Sequence, residues 1–155
     1  MQALAELGRA DEALALWQTL NPAAHADAPE GVARYKVEPY VVAADVYGMP
    51  PHVGRGGWTW YTGSAAWLYR AALETLLGFT KRGDRLSFAP RVPWDAFEVE
   101  YRHGSALYRC RVEARSDGTS GSAEVWLDGE RLPSEEVPLL DDGREHAVRF
   151  VFSRP

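Results

Sequence analysis

The hydrophobic period of this chain changes near Gly78, and this change constrains the fold more than any other feature. Before Gly78, apolar residues recur at the three- and four-residue spacing of a helix, whereas after Gly83 they alternate with polar residues as in a strand. A chain that keeps the two periods in separate parts is predicted to be α+β. We place a helical region at residues 1–80 and a sheet region at residues 81–155.

The first helical pattern runs from Gln2 to Leu20. Gly8 interrupts it and Asp11 is a candidate cap for a second start, so the pattern fits one helix or two helices joined by a tight turn. Asn21 ends the pattern because a residue before proline is disfavoured in the helical region. Residues 23–31 are then predicted to be a polar connection.

A second helix is predicted from Glu38-Pro39 to Gly48, because proline suits the first helical turn. The β-branched pair Val41-Val42 leaves a strand open as the alternative. Residues 48–61 contain four glycines, two prolines and two tryptophans, which indicates a long loop of the kind that is often functional.

A third helix is predicted from Ser64 to Leu77, with Thr62 as its cap and Gly78 as its stop. Apolar side chains cover nearly its whole circumference, which is typical of a helix buried on all sides. About three helices within this chain cannot surround it. We therefore expect further neighbours for this helix.

The second half alternates apolar and polar residues in short runs separated by turn residues. A hairpin is predicted around the turn His103–Ser105, and a further turn at residues 116–121. Five or six short antiparallel strands of this kind suggest a small β-sandwich. The predicted strands centre on Leu86–Phe88, Phe97–Tyr101, Ala106–Val112, Ala123–Leu127 and Val148–Phe152.

The composition excludes several classes of protein. A chain of 155 residues with 12% aromatic residues is not disordered, and one cysteine cannot build a disulfide scaffold. No apolar run approaches the roughly 20 residues of a membrane helix, and the N-terminus lacks a secretory core. The net charge of -5 argues against nucleic-acid binding. These features predict a cytoplasmic globular protein.

The sequence Thr62-Gly63-Ser64 is a candidate anion site because it opens a helix directly after a glycine-rich loop. Free amides and the dipole at a helix start attract anions, and glycine lets an anion approach the backbone. On these residues alone an ordinary helix cap is the favoured explanation, because capping by itself accounts for the same residue types.

Aromatic residues are concentrated beside this helix start. Trp58 and Trp60 lie in the loop, where they could stack on the apolar faces of sugar rings, and Trp67 lies within the helix. Core packing is the alternative reading. Arg55 lies between two glycines and is a candidate for anion or sugar binding, or simply a solvated charge.

Other candidates for catalysis or metal binding are weak. Seven residues apart on one helix, Glu38 and Asp45 would lie roughly 10 Å apart along its axis, too far for a glycosidase carboxylate pair. His52 is a lone loop histidine. No spacing predicts a metal site, since the remaining histidines and the cysteine are dispersed along the chain. These residues are His25, His103, His146 and Cys110.

The run from Tyr35 to Phe79, which contains PPHVGRGGWTWYTGSA, closely resembles the C-terminal part of glycoside hydrolase family 94. This family includes cellobiose and chitobiose phosphorylases and the C-terminal region of cyclic β-1,2-glucan synthases. GRADEALALWQTLNPAA and LSFAPRVPWDAFEVEYRHGSALYRCRVE resemble the flanking segments of the family, so the resemblance spans about residues 4–114.

The resemblance implies an incomplete six-hairpin (α/α) barrel followed by a small antiparallel β-sandwich. It implies that Thr62 and Gly63 bind inorganic phosphate, which is a co-substrate in the family, and it implies no cofactor. Arg55, Trp58 and Trp60 would lie beside that site and shape a pocket for β-linked glucooligosaccharides.

The family's general-acid aspartate and its phosphate-binding arginine and histidine have no counterpart in this sequence. We therefore assign no catalytic residue and expect a C-terminal fragment that does not turn over alone. It would self-associate or pair with the remaining barrel, in the cytoplasm or as the tail of an inner-membrane synthase. The alternatives are a non-catalytic carbohydrate-binding module and, from LGRADEALALW, a tetratricopeptide-like interaction protein.

Overall fold

The structure, a computed structural model, describes residues 1–60, 62–115 and 121–153, with only the backbone of Thr62. The α+β class is confirmed: helices come first, and most of the strands follow Gly78. The helices are α1 (Gln2–Glu6), α2 (Ala10–Leu20), α3 (Pro22–His25), α4 (Pro29–Tyr35), α5 (Thr62–Arg70) and a π-helix (Ala71–Leu76).

The first helical pattern is two helices, α1 and α2, separated by Gly8 with φ 74°. The cap of α2 is Arg9 and not Asp11, which lies in the first turn. The Arg9 guanidinium donates to both carboxylate oxygens of Glu12, at 2.6 and 2.5 Å. This ion pair ties the turn to the new helix start.

The prediction of a polar connection at residues 23–31 is wrong, because α3 and α4 form there. Proline at the first turn of each helix has the required φ and lacks an amide that would otherwise need an acceptor. The Asn21 side chain also accepts a 3.1 Å hydrogen bond from the Ala23 amide. Local capping therefore outweighs the polar composition.

The predicted helix from Glu38-Pro39 to Gly48 is also wrong, and the strand alternative is correct for two residues. Strand β1 (Asp45–Val46) pairs antiparallel with β2 (Gly56–Gly57). The chain leaves α4 through Lys36, which has φ 55°, and the flanking Tyr35 and Val37 form a small buried cluster with Val41. Burial of these side chains together stabilises irregular backbone where the spacing predicts a helix.

Helix α5 begins at Thr62, two residues before the predicted start, and continues into the π-helix. Trp67 on α5 is 67% exposed, so burial on all sides is not achieved among the described residues. Leu76 in the π-helix is buried with Ala5, Ala13 and Val92. The end of the helical segment is therefore packed, whereas its start projects from the described residues.

The second half forms two sheets that share one buried core, as predicted for a sandwich. The strands are β3 (Phe79–Arg82), β4 (Arg85–Phe88), β5 (Ala96–His103), β6 (Ala106–Ala114), β7 (Glu124–Leu127), β8 (Glu130–Arg131), β9 (Val137–Pro138) and β10 (Glu145–Phe152). The five-stranded sheet has the order β5-β6-β10-β7-β8, and the three-stranded sheet has the order β3-β4-β9.

The predicted hairpin is confirmed, with Val99 of β5 opposite Cys110 of β6. One pairing departs from the antiparallel expectation, because β10 runs parallel to β6, with Val148 opposite Cys110. This pairing brings together residues far apart in sequence, and the alternation of apolar residues is the same in either direction. Of the turn predicted at 116–121, residues 116–120 lie outside the described residues.

Within the described ranges, no helix is long and apolar enough to cross a membrane.

Candidate functional site

The loop that precedes α5 is organised as a hairpin. The Tyr47 amide donates to the Arg55 carbonyl at 2.9 Å, and the Gly54 amide donates to the Tyr47 carbonyl at 2.9 Å. A Cβ atom on Gly56 would lie 2.3 Å from Cγ2 of Val37, and one on Gly57 would lie 2.5 Å from Oδ1 of Asp45. Glycine is thus required at Gly56, where Val37 cannot rotate away within the packed cluster, whereas at Gly57 the Asp45 carboxylate can move aside.

Two tryptophans leave this hairpin in left-handed backbone conformations. The φ angle is 48° at Trp58 and 70° at Trp60, which is uncommon for a bulky residue and energetically unfavourable. Their exposed fractions are 71% and 57%. The Trp60 ring makes an edge contact with Tyr40 at 5.8 Å. The predicted core-packing alternative is therefore excluded for these two rings within the described residues.

The start of α5 follows these tryptophans directly. Because the helix begins at Thr62, the amides of its first four residues have no carbonyl acceptor within the helix. Gly63 is exposed, and a Cβ atom there would meet nothing within 4 Å. Packing against the described residues does not require glycine at this position. The Thr62 side chain, the other predicted phosphate ligand, lies outside the described part of the chain.

Arg55 lines a cavity on the hairpin. This cavity, of about 160 Å³, lies between the end of α4 and the hairpin, and its lining includes Arg34, Lys36 and His52. Neither Trp58, Trp60 nor Gly63 lines it. A shared site of Arg55 with the other predicted sugar and phosphate residues stays a prediction.

The sequence pattern does not reveal a polar cluster in the sandwich, in which a buried histidine, His146, lies between two more exposed aspartates. This histidine is 3% exposed, with Nδ1 2.8 Å from Oδ2 of Asp128 and Nε2 3.1 Å from Oδ1 of Asp142. The Tyr108 ring stacks on it with a centroid distance of 4.7 Å. Hydrogen bonding to Asp128 is the main factor that raises the pKa of His146. Both ring nitrogens are occupied, so the cluster suits a structural role.

Cys110 is buried in the core, and burial raises the pKa of its thiol to about 12. A thiol held neutral in this way is a poor nucleophile. Among the described residues, no group of three or more histidine, cysteine, aspartate or glutamate side chains is placed to hold a metal ion.

Residues 1–78, half of the chain, match the glycosyl hydrolase 94 superfamily, catalytic domain. The chain belongs to the glycosyl hydrolase 94 superfamily. The family resemblance inferred from the sequence is thereby confirmed. The matched residues include Arg55, Trp58, Trp60, Thr62 and Gly63, whereas the His146 cluster lies outside the match.

Three relatives illustrate the range of this superfamily. The cyclic β-(1,2)-glucan synthase NdvB of Rhizobium meliloti (strain 1021) is 47% identical over 125 residues, which cover 79% of this chain. The N,N'-diacetylchitobiose phosphorylase of Vibrio furnissii is 30% identical over 150 residues, and the solabiose phosphorylase of Paenibacillus borealis is 24% identical over 144 residues, covering 95% and 91% of this chain.

The chain spans only a small part of each of these relatives. The matched region is 4% of the glucan synthase and 18% of each of the two phosphorylases. This superfamily member therefore corresponds to a short stretch of much longer enzymes.

Proposed function

We propose that this chain supplies the phosphate-binding helix start and a sugar-stacking loop of a glycosyl hydrolase 94 enzyme, and that it does not cleave substrate alone. The observation that carries the proposal is the helix start at Thr62-Gly63, placed directly after two exposed tryptophans in strained backbone. The co-substrate would be inorganic phosphate, and the substrate a β-linked glucooligosaccharide.

Gly63 supports the phosphate part of this proposal. Glycine weakens a helix by about 0.5–1 kcal/mol relative to alanine, and the described structure gives no packing reason for it here. A small residue with no side chain does allow an anion to reach the free amides of the helix start. Glycine at this position thus lowers helix stability and gives an anion access to the backbone amides.

Trp58 and Trp60 support the sugar part. A left-handed conformation at two successive aromatic positions is unfavourable, and both rings remain exposed instead of gaining burial. Exposed aromatic rings near an anion site suit a sugar, whose apolar C–H faces stack on rings while its hydroxyls stay hydrated. Two of the relatives are named as phosphorylases and one as a glucan synthase, which agrees with this ligand class.

The proposed dependence on further barrel elements rests on exposed apolar surface. On α5, Trp67 and Tyr69 are 67% and 66% exposed, far more than expected for an aromatic face of a finished core. We place residues 1–80 in the barrel and 81–155 in the closing sandwich. The general acid would come from the remaining barrel, and the assembly would lie in the cytoplasm.

Gly63→Ala tests the phosphate site. The substitution should leave the free energy of unfolding unchanged or raise it by up to about 1 kcal/mol, because alanine favours the helix and meets no neighbour. It should weaken binding of inorganic phosphate at the helix start about tenfold, because the methyl group holds the anion away from the amides. The shifts of the Gly63 and Ser64 amides in an NMR phosphate titration measure the wild-type affinity.

Gly48→Ala is the matched control, since a Cβ atom there also meets nothing within 4 Å. It should leave the phosphate titration unchanged. If Gly63→Ala bound phosphate as tightly as the wild type, the helix start would not be the anion site. Release of glucose 1-phosphate from β-1,2-glucooligosaccharides by the chain alone would contradict the proposed dependence on other elements.

A non-catalytic carbohydrate-binding module is the second candidate, and the exposure of Trp58 and Trp60 favours it. Trp58→Ala and Trp60→Ala should each weaken glucooligosaccharide binding by about two- to tenfold, since an aromatic stacking contact contributes about 0.5–1.5 kcal/mol. Calorimetric titration with and without phosphate measures this. Trp94, which is 41% exposed on the sandwich, provides the control Trp94→Ala.

The titration separates the two candidates. Sugar binding that is strengthened by phosphate favours the enzyme site, whereas sugar binding that ignores phosphate favours the module. If neither Trp58→Ala nor Trp60→Ala changed the affinity more than Trp94→Ala did, the loop would not be a sugar site.

A further inference from the structure

The cavity between α4 and the hairpin has an unusual charge. Four of its seven lining residues carry basic side chains, namely Arg34, Lys36, His52 and Arg55, and the other three are an alanine, a proline and a valine. Among the residues that the structure describes, no carboxylate lines it. A local concentration of basic groups contrasts with the net charge of -5 of the whole chain. We call these four residues the basic cleft.

The backbone and packing hold the basic cleft together. Gly54 has φ 83°, and a Cβ atom there would lie 2.8 Å from Cδ of Arg34, so the Arg34 stem lies directly over the hairpin. The Arg55 amide donates to the His52 carbonyl at 3.0 Å, which fixes the two hairpin residues in one turn. Lys36 follows in the left-handed cap of α4.

The charges of the basic cleft are not compensated within the described residues. Several other arginines in the structure pair with carboxylates: Arg70 donates to Glu74 at 2.9 and 2.8 Å, and Arg149 donates to Glu113 at 2.7 Å. Arg34, Lys36 and Arg55 have no ion pair in the part of the chain that the structure describes. Like charges that converge on one cavity without a partner favour an anionic ligand.

Interaction with the helix dipole explains only some of the basic side chains in the basic cleft. Cations are favoured near the C-terminal end of a helix, which covers Arg34 and Lys36 at the end of α4. The helix dipole of α4 does not explain Arg55 and His52, which belong to the hairpin and line the same cavity. Contributions from two separate segments indicate a site for a shared ligand.

We propose that the basic cleft binds a phosphate group, separately from the helix start at Thr62-Gly63. Two guanidinium groups can each bind phosphate oxygens through paired hydrogen bonds, and the Lys36 ammonium adds a compact charge. The ligand is either free inorganic phosphate or the phosphate of a sugar ester. This site goes beyond the proposed function and does not depend on it, because the lining residues differ.

The test uses the full chain, titrated at constant ionic strength with inorganic phosphate and, separately, with glucose 1-phosphate. Amide shifts are expected at residues 53–55 with either probe or with one of them. Arg34→Gln and Arg55→Gln should each weaken the binding measured at those amides about tenfold. Arg34→Lys, which keeps the charge and most of the stem that packs on Gly54, should recover part of the loss.

Arg102→Gln is the control, since Arg102 is an exposed arginine on β5 outside the basic cleft. It should bind as the wild type does. Tighter binding of glucose 1-phosphate than of phosphate would identify the ester as the ligand, and equal binding would identify free phosphate. The inference is overturned if neither probe shifts residues 53–55, or if the two glutamine variants bind as Arg102→Gln does.

The two proposed phosphate sites can be tested independently of each other. Gly63→Ala should leave the basic cleft titration unchanged, because Gly63 does not line that cavity. If phosphate shifted only the Gly63 and Ser64 amides, the basic cleft would not be a phosphate site, and the proposed function would still hold. If phosphate shifted only the amides of residues 53–55, the basic cleft would be a phosphate site, and the helix start would not be one.

Discussion

Gly78→Ala is expected to lower the free energy of unfolding by about 3–4 kcal/mol, through a steric clash combined with backbone strain. Gly78 is buried and has φ 69°, and a Cβ atom there would lie 2.1 Å from both the carbonyl carbon and oxygen of Ala89. Since these are backbone atoms, no side-chain rotation relieves the contact. The chain must shift where the π-helix meets the sandwich.

Gly83→Ala is a matched control for this prediction. Gly83 also has a positive φ, 58°, but a Cβ atom there would meet nothing within 4 Å. Its replacement should cost only the strain of the left-handed backbone, about 1 kcal/mol. The difference between the two variants, measured by guanidinium chloride unfolding, isolates the clash. Equal losses would show that Gly78 and Ala89 are not in close contact.

The loss of stability in Gly78→Ala should affect the end of the π-helix as well as the sheet. The Ala89 amide donates to the Gly78 carbonyl at 3.0 Å, and the Arg91 amide donates to the Leu76 carbonyl at 2.8 Å. These two bonds join the π-helix to the segment after β4. Hydrogen exchange of the Ala89 and Arg91 amides in Gly78→Ala should therefore be faster than in the wild type.

The elements predicted correctly from the sequence are those set by local pattern. The hairpin of β5 and β6 follows from alternating side chains around Gly104, and the break between α1 and α2 follows from Gly8. The errors at residues 23–31 and 39–47 arise where capping by Asn21 and burial of the Tyr35 cluster outweigh composition. Those effects depend on contacts that a spacing rule does not contain.

The candidate site was predictable only where its residues are neighbours in sequence. Trp58, Trp60 and Gly63 belong to one motif, and its family resemblance is specific. The basic cleft joins Arg34 on α4 to Arg55 on the hairpin, and only the fold of the intervening chain brings them together. The parallel pairing of β10 with β6 and the π-helix likewise have no distinctive local pattern.

The His146 cluster also joins distant residues, and it makes stability depend on pH. Hydrogen bonds to Asp128 and Asp142 raise the pKa of His146 above its ordinary 6.5 in the folded state. The folded chain therefore holds this proton more tightly than the unfolded chain does. The contribution is fully present below about pH 6.5 and is lost as the pH rises through the raised pKa.

The two carboxylates act in the opposite direction. Hydrogen bonds from His146 and the Ala147 amide lower the pKa of Asp128 despite its partial burial, and the Arg144 amide and His146 lower that of Asp142. Their contribution is present above the unfolded pKa of about 3.9 and is lost as the pH falls through the lowered values. Stability from this cluster should thus be greatest between about pH 4 and pH 6.5.

His146→Gln is expected to remove the fall in stability above pH 6.5 and to lower the free energy of unfolding at pH 6 by about 2–3 kcal/mol. Glutamine cannot be protonated, does not stack fully on Tyr108, and cannot supply the charge that Asp128 and Asp142 face. Asp128, whose side chain is 42% exposed, remains partly solvated, which keeps the loss below that of a fully buried ion pair. Guanidinium chloride unfolding from pH 5 to pH 8 measures both effects. Asp128→Asn should reduce the fall in the free energy of unfolding above pH 6.5 without abolishing it, because the His146 bond to Asp142 remains. If this fall were unchanged in His146→Gln, the pH dependence would belong to another group.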